Sequence, residues 1–193
     1  SAADGKRGIE LWRSDGTAKG TKLENILPGR STVKEVEDLA NVRNTLFFAA
    51  PDGKHGPELW RSDGTAKGTK LVKDIFPGPN GSEPERFIEV RGTVYFAATS
   101  GKGNELWKSD GTAKGTKLVE DILPGPGDGS PDEFAELKRV LLFRAIDKNN
   151  GEELWKSDGT VKGTRLVKDI KPGPAPADSH PDTLTTVGSK VFF

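Results

Sequence analysis

The chain of 193 residues contains no cysteine and no methionine, and aromatic residues make up only 7% of it. The absence of cysteine excludes disulfides and thiolate chemistry. No apolar run approaches the roughly 20 residues that a membrane-spanning helix needs, so we expect no membrane insertion. Basic and acidic residues both number 29, and this zero net charge argues against a nucleic-acid or anionic-membrane surface. The chain begins Ser-Ala-Ala without a signal-peptide pattern, which leads us to expect a processed or shortened form.

A repeat dominates what is present. The four tryptophans, Trp12, Trp60, Trp107 and Trp155, are spaced by 48, 47 and 48 residues. Each stands in the phrase Glu-Leu-Trp-x-Ser-Asp-Gly-Thr-x-Lys-Gly-Thr-x-Leu. A fixed period of this length is typical of repeat architectures, so we interpret residues 1–193 as one domain of four repeats of about 48 residues.

Each period predicts four short strands. In the second period, residues 87–90, 93–98, 105–108 and 116–122 are rich in β-forming residues and are separated by turn residues. Four strands per period are typical of one propeller blade, so we predict an all-β, four-bladed β-propeller with four-stranded antiparallel blades. Residues 130–141 also carry a helix cap and helical spacing; we expect the repeat pattern to prevail there, with a single helical turn before the strand as the compromise.

The two ends of the chain carry complementary parts of one blade. Residues 1–5 match residues 49–53, and residues 191–193 match residues 46–48. We therefore predict that the N- and C-terminal strands complete one blade and close a ring, which removes exposed sheet edges. The favoured form is a four-bladed monomer, and the alternative is an eight-bladed homodimer in which each chain completes a blade of the other.

The Glu-Leu-Trp-x-Ser-Asp-Gly-Thr phrase resembles the ELWxxDGT repeat family of bacterial proteins, and the match covers all four periods. The resemblance implies a propeller-like β-repeat and an extracellular, secreted location, and it implies no reaction. The period, the blade count and the strand pattern are also similar to those of hemopexin-like four-bladed propellers. Those domains use the central channel for ions and the surface for partner proteins, although their typical disulfide is missing here.

Two repeated sets of residues are candidate sites, and we interpret both as structural. Asp-Gly between two strands predicts a tight turn, and this structural turn motif contains Asp15, Asp63, Asp110 and Asp158. The tryptophans could stack on sugars, but blades pack on both faces, which favours packing between blades. The set assigned to this packing is Trp12, Trp60, Trp107 and Trp155.

A third repeated set is acidic. A carboxylate stands two residues before the first large apolar residue of each predicted innermost strand, at Glu37, Glu85, Asp132 and Asp182. Rotational symmetry would place all four at one height near the channel mouth, where mutual repulsion favours a cation such as Ca²⁺ or Mg²⁺. The alternative is that these carboxylates cap turns or face solvent. No other cofactor is predicted.

No catalytic set accompanies these motifs. The two histidines, His55 and His180, fall in loops of different repeats, and no nucleophile elbow is present. We therefore predict a non-enzymatic repeat scaffold or binding module, part of a secreted bacterial protein, that presents repeated loops to a protein or a glycan. One alternative is a glycan-acting hydrolase with paired carboxylates. Another is a purely structural or engineered repeat propeller with a central cation site.

Overall fold

The structure is a computed structural model that describes residues 2–3, 9–24, 37–52, 54–173 and 177–193. Within the strands, the side chains of Ala3, Ile9, Glu10, Glu24 and Glu37 are not part of this description. Every helix or strand in the described ranges is a β-strand. None of these residues forms a helix of the length and apolar character that crossing a membrane requires.

The strands form successive antiparallel sheets. The N-terminal sheet contains β1 (Ala2–Ala3), β2 (Ile9–Arg13) and β3 (Lys22–Glu24). Sheet I contains β4 (Glu37–Val42), β5 (Thr45–Ala50), β6 (Glu58–Ser62) and β7 (Lys70–Lys73). Sheet II contains β8 (Glu85–Val90), β9 (Thr93–Ser100), β10 (Gly103–Ser109) and β11 (Lys117–Glu120). Sheet III contains β12 (Asp132–Leu137), β13 (Val140–Asp147), β14 (Gly151–Ser157) and β15 (Arg165–Lys168). The C-terminal hairpin contains β16 (Thr185–Val187) and β17 (Lys190–Phe192).

Sheets I, II and III confirm the prediction of an all-β protein built from four-stranded antiparallel sheets. The four strands expected in the second period correspond to β8, β9, β10 and β11, with ends shifted by a few residues. Residues 130–141 form β12 and the start of β13 and not a helix. Their strand conformation prevails because Ala135, Glu136 and Leu137 join the ladder with β13, and such tertiary pairing overrides local helical preference.

The sheets pack face to face, with their first strands adjacent. β4 contacts β8, β8 contacts β12, and β12 contacts β16. Phe47 and Val72 of sheet I pack with Phe96 and Trp107 of sheet II in one apolar cluster. Equivalent clusters lie between sheets II and III and between the N-terminal sheet and sheet I. This succession, with first strands meeting and large apolar residues between neighbours, is propeller-like.

Each sheet presents the same two ends, because its strands alternate in direction. One end, here the turn face, carries the β4–β5 type of turn and the repeated turn of the Ser-Asp-Gly-Thr phrase at residues 14–21, 62–69, 109–116 and 157–164. The opposite end, here the loop face, carries the described residues of 51–57, 74–84, 121–131 and 169–184. Turns of neighbouring sheets touch, since Arg43 Nη2 donates a 3.3 Å hydrogen bond to the Arg91 carbonyl.

The hairpin and the N-terminal sheet are separate sheets. β17 pairs with β16, while β2 pairs with β1 and β3. The described residues therefore do not join the end strands into the blade that the sequence predicts. Closure of a ring, by one chain or by two, stays a prediction.

Candidate functional site

The repeated turn is held by its own side chains. In sheet II, Asp110 Oδ1 accepts hydrogen bonds from Thr112 N at 2.9 Å and from Thr112 Oγ1 at 2.7 Å. Ser109 Oγ accepts from Gly111 N at 2.9 Å and lies 2.8 Å from Thr116 Oγ1. The same bonds from threonine reach Asp15, Asp63 and Asp158. The bond from the Thr112 hydroxyl lowers the pKa of Asp110, because it favours the charged carboxylate.

The second glycine of the phrase is required by this carboxylate. A Cβ on Gly115 would lie 2.0 Å from Asp110 Oδ1, and the same contact occurs at Gly20, Gly68 and Gly163. The second glycine therefore packs directly against the aspartate, and the structure uses the Ser-Asp-Gly-Thr phrase to build hairpins. One oxygen of the carboxylate, Oδ1, is committed to the turn.

A buried glutamate, which we did not predict from the sequence, begins the repeated phrase. Glu58, Glu105 and Glu153 are 0% exposed. Glu105 accepts backbone hydrogen bonds from Ile122 N at 2.9 Å, Leu123 N at 3.2 Å and Gly129 N at 3.0 Å. Burial raises the pKa of Glu105 to about 7. The carboxylate fixes the loop that leads to the next sheet, and its recurrence before each Leu-Trp pair was the available signal.

Three of the four tryptophans lie between sheets. Trp60, Trp107 and Trp155 are 8%, 8% and 9% exposed. Trp107 packs with Val72 of the preceding sheet, and Trp155 packs with Val119 in the same way. Trp12 is only partly buried, and its Nε1 donates to the Ala2 carbonyl at 3.0 Å.

Two of the four acidic residues predicted as cation ligands, Asp132 and Asp182, have other partners. Asp132 Oδ1 lies 3.0 Å from Arg86 Nε, and its Oδ2 lies 3.2 Å from Arg144 Nη2. Asp182 accepts a 2.9 Å bond from Thr183 N, while Glu85 is exposed at the start of β8. Among the described side chains, no three metal-ligating groups converge. The Glu37 side chain lies outside the described residues, so the four-carboxylate site stays a prediction.

A chain of ion pairs extends from Asp132 along the loop face. Arg144 also contacts Glu152, with 3.2 Å between its Nε and Glu152 Oε1, and His180 Nδ1 contacts the other Glu152 oxygen. The arrangement brings two carboxylates to one arginine. Glycosidases place a pair of carboxylates on either side of the scissile bond, whereas here both carboxylates contact the same guanidinium group. The hydrolase alternative gains no support from this geometry.

Basic side chains collect on the turn face, although the chain has no net charge. Two exposed basic residues follow the aspartate in every repeated turn; they are Lys19 and Lys22, Lys67 and Lys70, Lys114 and Lys117, and Lys162 and Arg165. Arg43, Arg91, Lys138 and Arg139 add exposed charge at the other turns of this end. The exposed aspartates Asp15, Asp63, Asp110 and Asp158 share this end, one for each pair of basic residues, so the turn face keeps an excess of positive charge, while Asp52, Asp121, Asp147 and Asp178 lie at the loop face. Net charge alone concealed this excess, and the recurrence of the basic pair in all four repeats was the signal that we missed.

A groove accompanies the turn in sheet I. It has a volume of about 370 Å³ and is lined by Thr45, Arg61, Asp63, Thr65, Lys67, Gly68 and Lys70. Hydroxyl, guanidinium and ammonium groups and the carboxylate of Asp63 therefore face a common space. With three basic side chains against one carboxylate, such a lining suits a hydrated polar ligand with negative charge more than an apolar one.

Comparisons with known proteins leave the family open. No protein-family model and no curated protein matches the chain. One matching solved structure is "The high resolution structure of a novel alpha-L-arabinofuranosidase (CtGH43) from Clostridium thermocellum ATCC 27405". The two are 15% identical with a TM-score of 0.37, and the match covers 98% of this chain and 72% of that one. A similarity of this extent establishes neither a shared fold nor a shared activity.

Proposed function

We propose that this chain is a non-enzymatic repeat module of a secreted bacterial protein that binds an acidic glycan along its turn face. The observation that supports this proposal is the exposed basic pair that follows the aspartate in every repeated turn. Sulfate or carboxylate groups on a sugar polymer accept hydrogen bonds from lysine and arginine and gain from their charge. We take the four repeats as the blades of a β-propeller, which would present four such turns on one end.

The repetition suits a polymer better than a small molecule. Each exposed charge pair contributes little by itself, about 0–1 kcal/mol. Linked sites, however, gain avidity when the ligand repeats with them, because later binding events are intramolecular. The turns of neighbouring sheets are joined, as by Lys108 Nζ and the Gly159 carbonyl 2.7 Å away. That contact limits how far the spacing between the pairs can vary.

A direct test compares dextran sulfate with uncharged dextran by isothermal titration calorimetry. We expect the sulfated polymer to bind, with an affinity that falls as salt screens the charges, and the uncharged polymer not to bind. A single-stranded oligonucleotide serves as a third probe, because a preference for it would contradict the glycan assignment. Absence of binding to dextran sulfate at low salt would also contradict the proposal.

Charge-reversal variants locate the surface. Lys67→Glu with Lys70→Glu changes one basic pair, and we expect roughly tenfold weaker binding because two contacts of up to about 1 kcal/mol are lost. Lys54→Glu with Lys148→Glu is the matched control, since both lysines are exposed and lie at the opposite end. Equal weakening by the two double variants would show that net charge, and not the turn face, governs binding.

A further inference from the structure

Glycines of the repeated turn are covered by an aromatic residue of the preceding sheet. A Cβ on Gly111 of sheet II would lie 3.2 Å from Phe47 Cζ of sheet I. A Cβ on Gly159 of sheet III would lie 3.3 Å from Tyr95 Cζ of sheet II. Both glycines are buried. The second strand of one sheet thus seals the repeated turn of the next.

The equivalent glycine of sheet I has no such cover. No described atom lies within 4 Å of the position that a Cβ on Gly64 would take. A groove of about 360 Å³ opens there, lined in part by Leu11, Trp12, Leu46 and Gly64. The sequences of residues 45–48, 93–96 and 190–193 align as Thr-Leu-Phe-Phe, Thr-Val-Tyr-Phe and Lys-Val-Phe-Phe. In that alignment Phe192 occupies the position of the two covering residues, and it is 56% exposed.

A second uncovered surface lies on sheet III. Val167 and Ile170 are 44% and 41% exposed, whereas the equivalent Val119 and Ile122 of sheet II are 2% and 5% exposed. Trp155 of the following sheet packs with Val119 and Ile122 in one cluster. Sheet III is followed by the two strands of the C-terminal hairpin, and a largely apolar groove of about 390 Å³ remains between Val167, Val191 and Phe193.

The residue that the repeat would place over Val167 and Ile170 is Trp12, on β2 of the N-terminal sheet. β2 therefore supplies the tryptophan that would cover Val167 and Ile170. The hairpin supplies Phe192, the aromatic residue that would cover Gly64. The register is fixed by sheet I, where Phe48 pairs with Trp60 and Leu46 pairs with Ser62. Transferred by one period, Phe193 pairs with Trp12 and Val191 pairs with Ser14.

We infer that the β16–β17 hairpin of one copy pairs with β2 of a second copy, forming a four-stranded sheet shared between two chains. A second copy is the occupant because each of the two surfaces carries the repeat positions that the other needs, and because in the described residues of one chain the hairpin pairs within itself while β2 pairs with β1 and β3. The junction continues the packing seen between sheets I and II and between sheets II and III. It buries Phe192 beside Gly64 and Trp12 over Val167, and the association is head to tail.

Cysteine cross-linking tests the junction cleanly because the chain has no cysteine of its own. A Ser14→Cys variant is mixed with a Val191→Cys variant under oxidising conditions. We expect a mixed disulfide between the two chains, since directly opposed strand positions satisfy disulfide geometry. Val161→Cys is the control partner for Ser14→Cys, because Val161 is 66% exposed and belongs to a turn of sheet III. As much cross-linking with the control would overturn the inference.

The solution mass gives a second, independent result. We expect light scattering to give at least twice the 20.7 kDa of one chain. Phe192→Asp should return the mass to one chain, while Val161→Asp, a change of the same chemistry at another exposed site, should leave it unchanged. A wild-type mass of 20.7 kDa would overturn the inference. So would a Ser14→Cys, Val191→Cys double variant that cross-links only within single chains, which would establish closure of one chain on itself.

Discussion

Lys108 Nζ donates a 2.7 Å hydrogen bond to the carbonyl oxygen of Gly159, across the boundary between sheets II and III. Gly159 belongs to the repeated turn of sheet III, so the side chain of one turn region holds the backbone of the next. Lys108, the basic residue before the Ser-Asp-Gly-Thr phrase of sheet II, therefore has a role distinct from that of the two exposed basic residues after the phrase. Lys108 stabilises the array, and the others are available to a ligand.

Lys108→Met removes this hydrogen bond and keeps most of the apolar stem. We expect a loss of about 1–2 kcal/mol of unfolding free energy, at the lower end for a hydrogen bond from a charged group because Lys108 is only half-buried. For a protein of this size that corresponds to a fall in Tm of roughly 2–8 °C by thermal denaturation. Lys114→Met, at an exposed position of the same repeat, should change Tm by much less. Similar effects of the two variants would contradict the assigned role.

Gly115→Ala tests the close approach of the second glycine of the turn to the aspartate carboxylate. The new Cβ would lie 2.0 Å from Asp110 Oδ1, so the aspartate must leave Thr112 or the turn must open. We expect a destabilisation of about 2 kcal/mol from the lost hydrogen bonds, measured by urea denaturation. Gly101→Ala is the control, because no described atom lies within 4 Å of its Cβ position. A neutral Gly115→Ala variant would show that the turn has another stable conformation.

Glu105 makes the stability depend on pH. Burial raises its pKa from 4.5 to about 7, so the folded protein binds this proton more tightly than the unfolded chain does. The stabilising effect of the proton is complete below pH 4.5 and is lost as pH rises through 7. We expect Tm to fall as pH rises through this window, with a loss of at most about 3 kcal/mol in the free energy of unfolding.

The Glu105→Gln variant separates this group from the rest of the chain. It should flatten the dependence of Tm on pH between 4.5 and 7. It should also lower stability by about 1–3 kcal/mol, because an amide NH₂ then faces a backbone donor in a buried site. An unchanged pH profile in this variant would assign the titration to another group. The aspartates of the repeated turns act at lower pH, since their pKa values are below 3.8 and their contribution is lost as pH falls.

Arg86 and a bound cation are alternative partners for Asp132. The arginine Nε lies 3.0 Å from the Asp132 carboxylate, so this carboxylate already has a positively charged partner. We expect calcium at about 1 mM to leave the Tm of the wild-type protein unchanged and to raise the Tm of Arg86→Ala by a few degrees, since binding to the native state adds stability. A calcium-dependent rise in the wild-type protein would support the sequence-based cation site instead.

The strand pattern could be predicted from the sequence because turn chemistry and β-forming residues act locally. Asp110 and Gly111 specify a hairpin by their own backbone preferences, and the period repeats that hairpin at fixed spacing. The helical signal at residues 130–141 was misleading for the opposite reason. The helical signal is also local, but here the pairing of β12 with β13, as between Leu137 and Val140, overrides the local preference.

The candidate site was less accessible from the sequence. Glu105 bonds to Gly129, which is 24 residues away, so its burial depends on the loop that returns to it. The basic pairs recur in the sequence, but a net charge of zero gave no reason to expect a basic surface. The direction of the strands, known from the structure, shows that the pairs lie at the same end of the sheets. Lys67 and Lys70 share a groove with Thr45 only because β5 and β6 place them at the same end of sheet I.

By itself the sequence determined the period, the strands and the turn in each repeat, since these depend on residues within a few positions of one another. Only the tertiary structure decided which carboxylates are buried, which charges share a face and which apolar surfaces are left uncovered. Phe47 and Phe192 occupy the same position in the repeat, yet the first is 3% exposed and the second 56% exposed. The difference is whether a neighbouring sheet is present, which depends on contacts between repeats and not on the repeat itself.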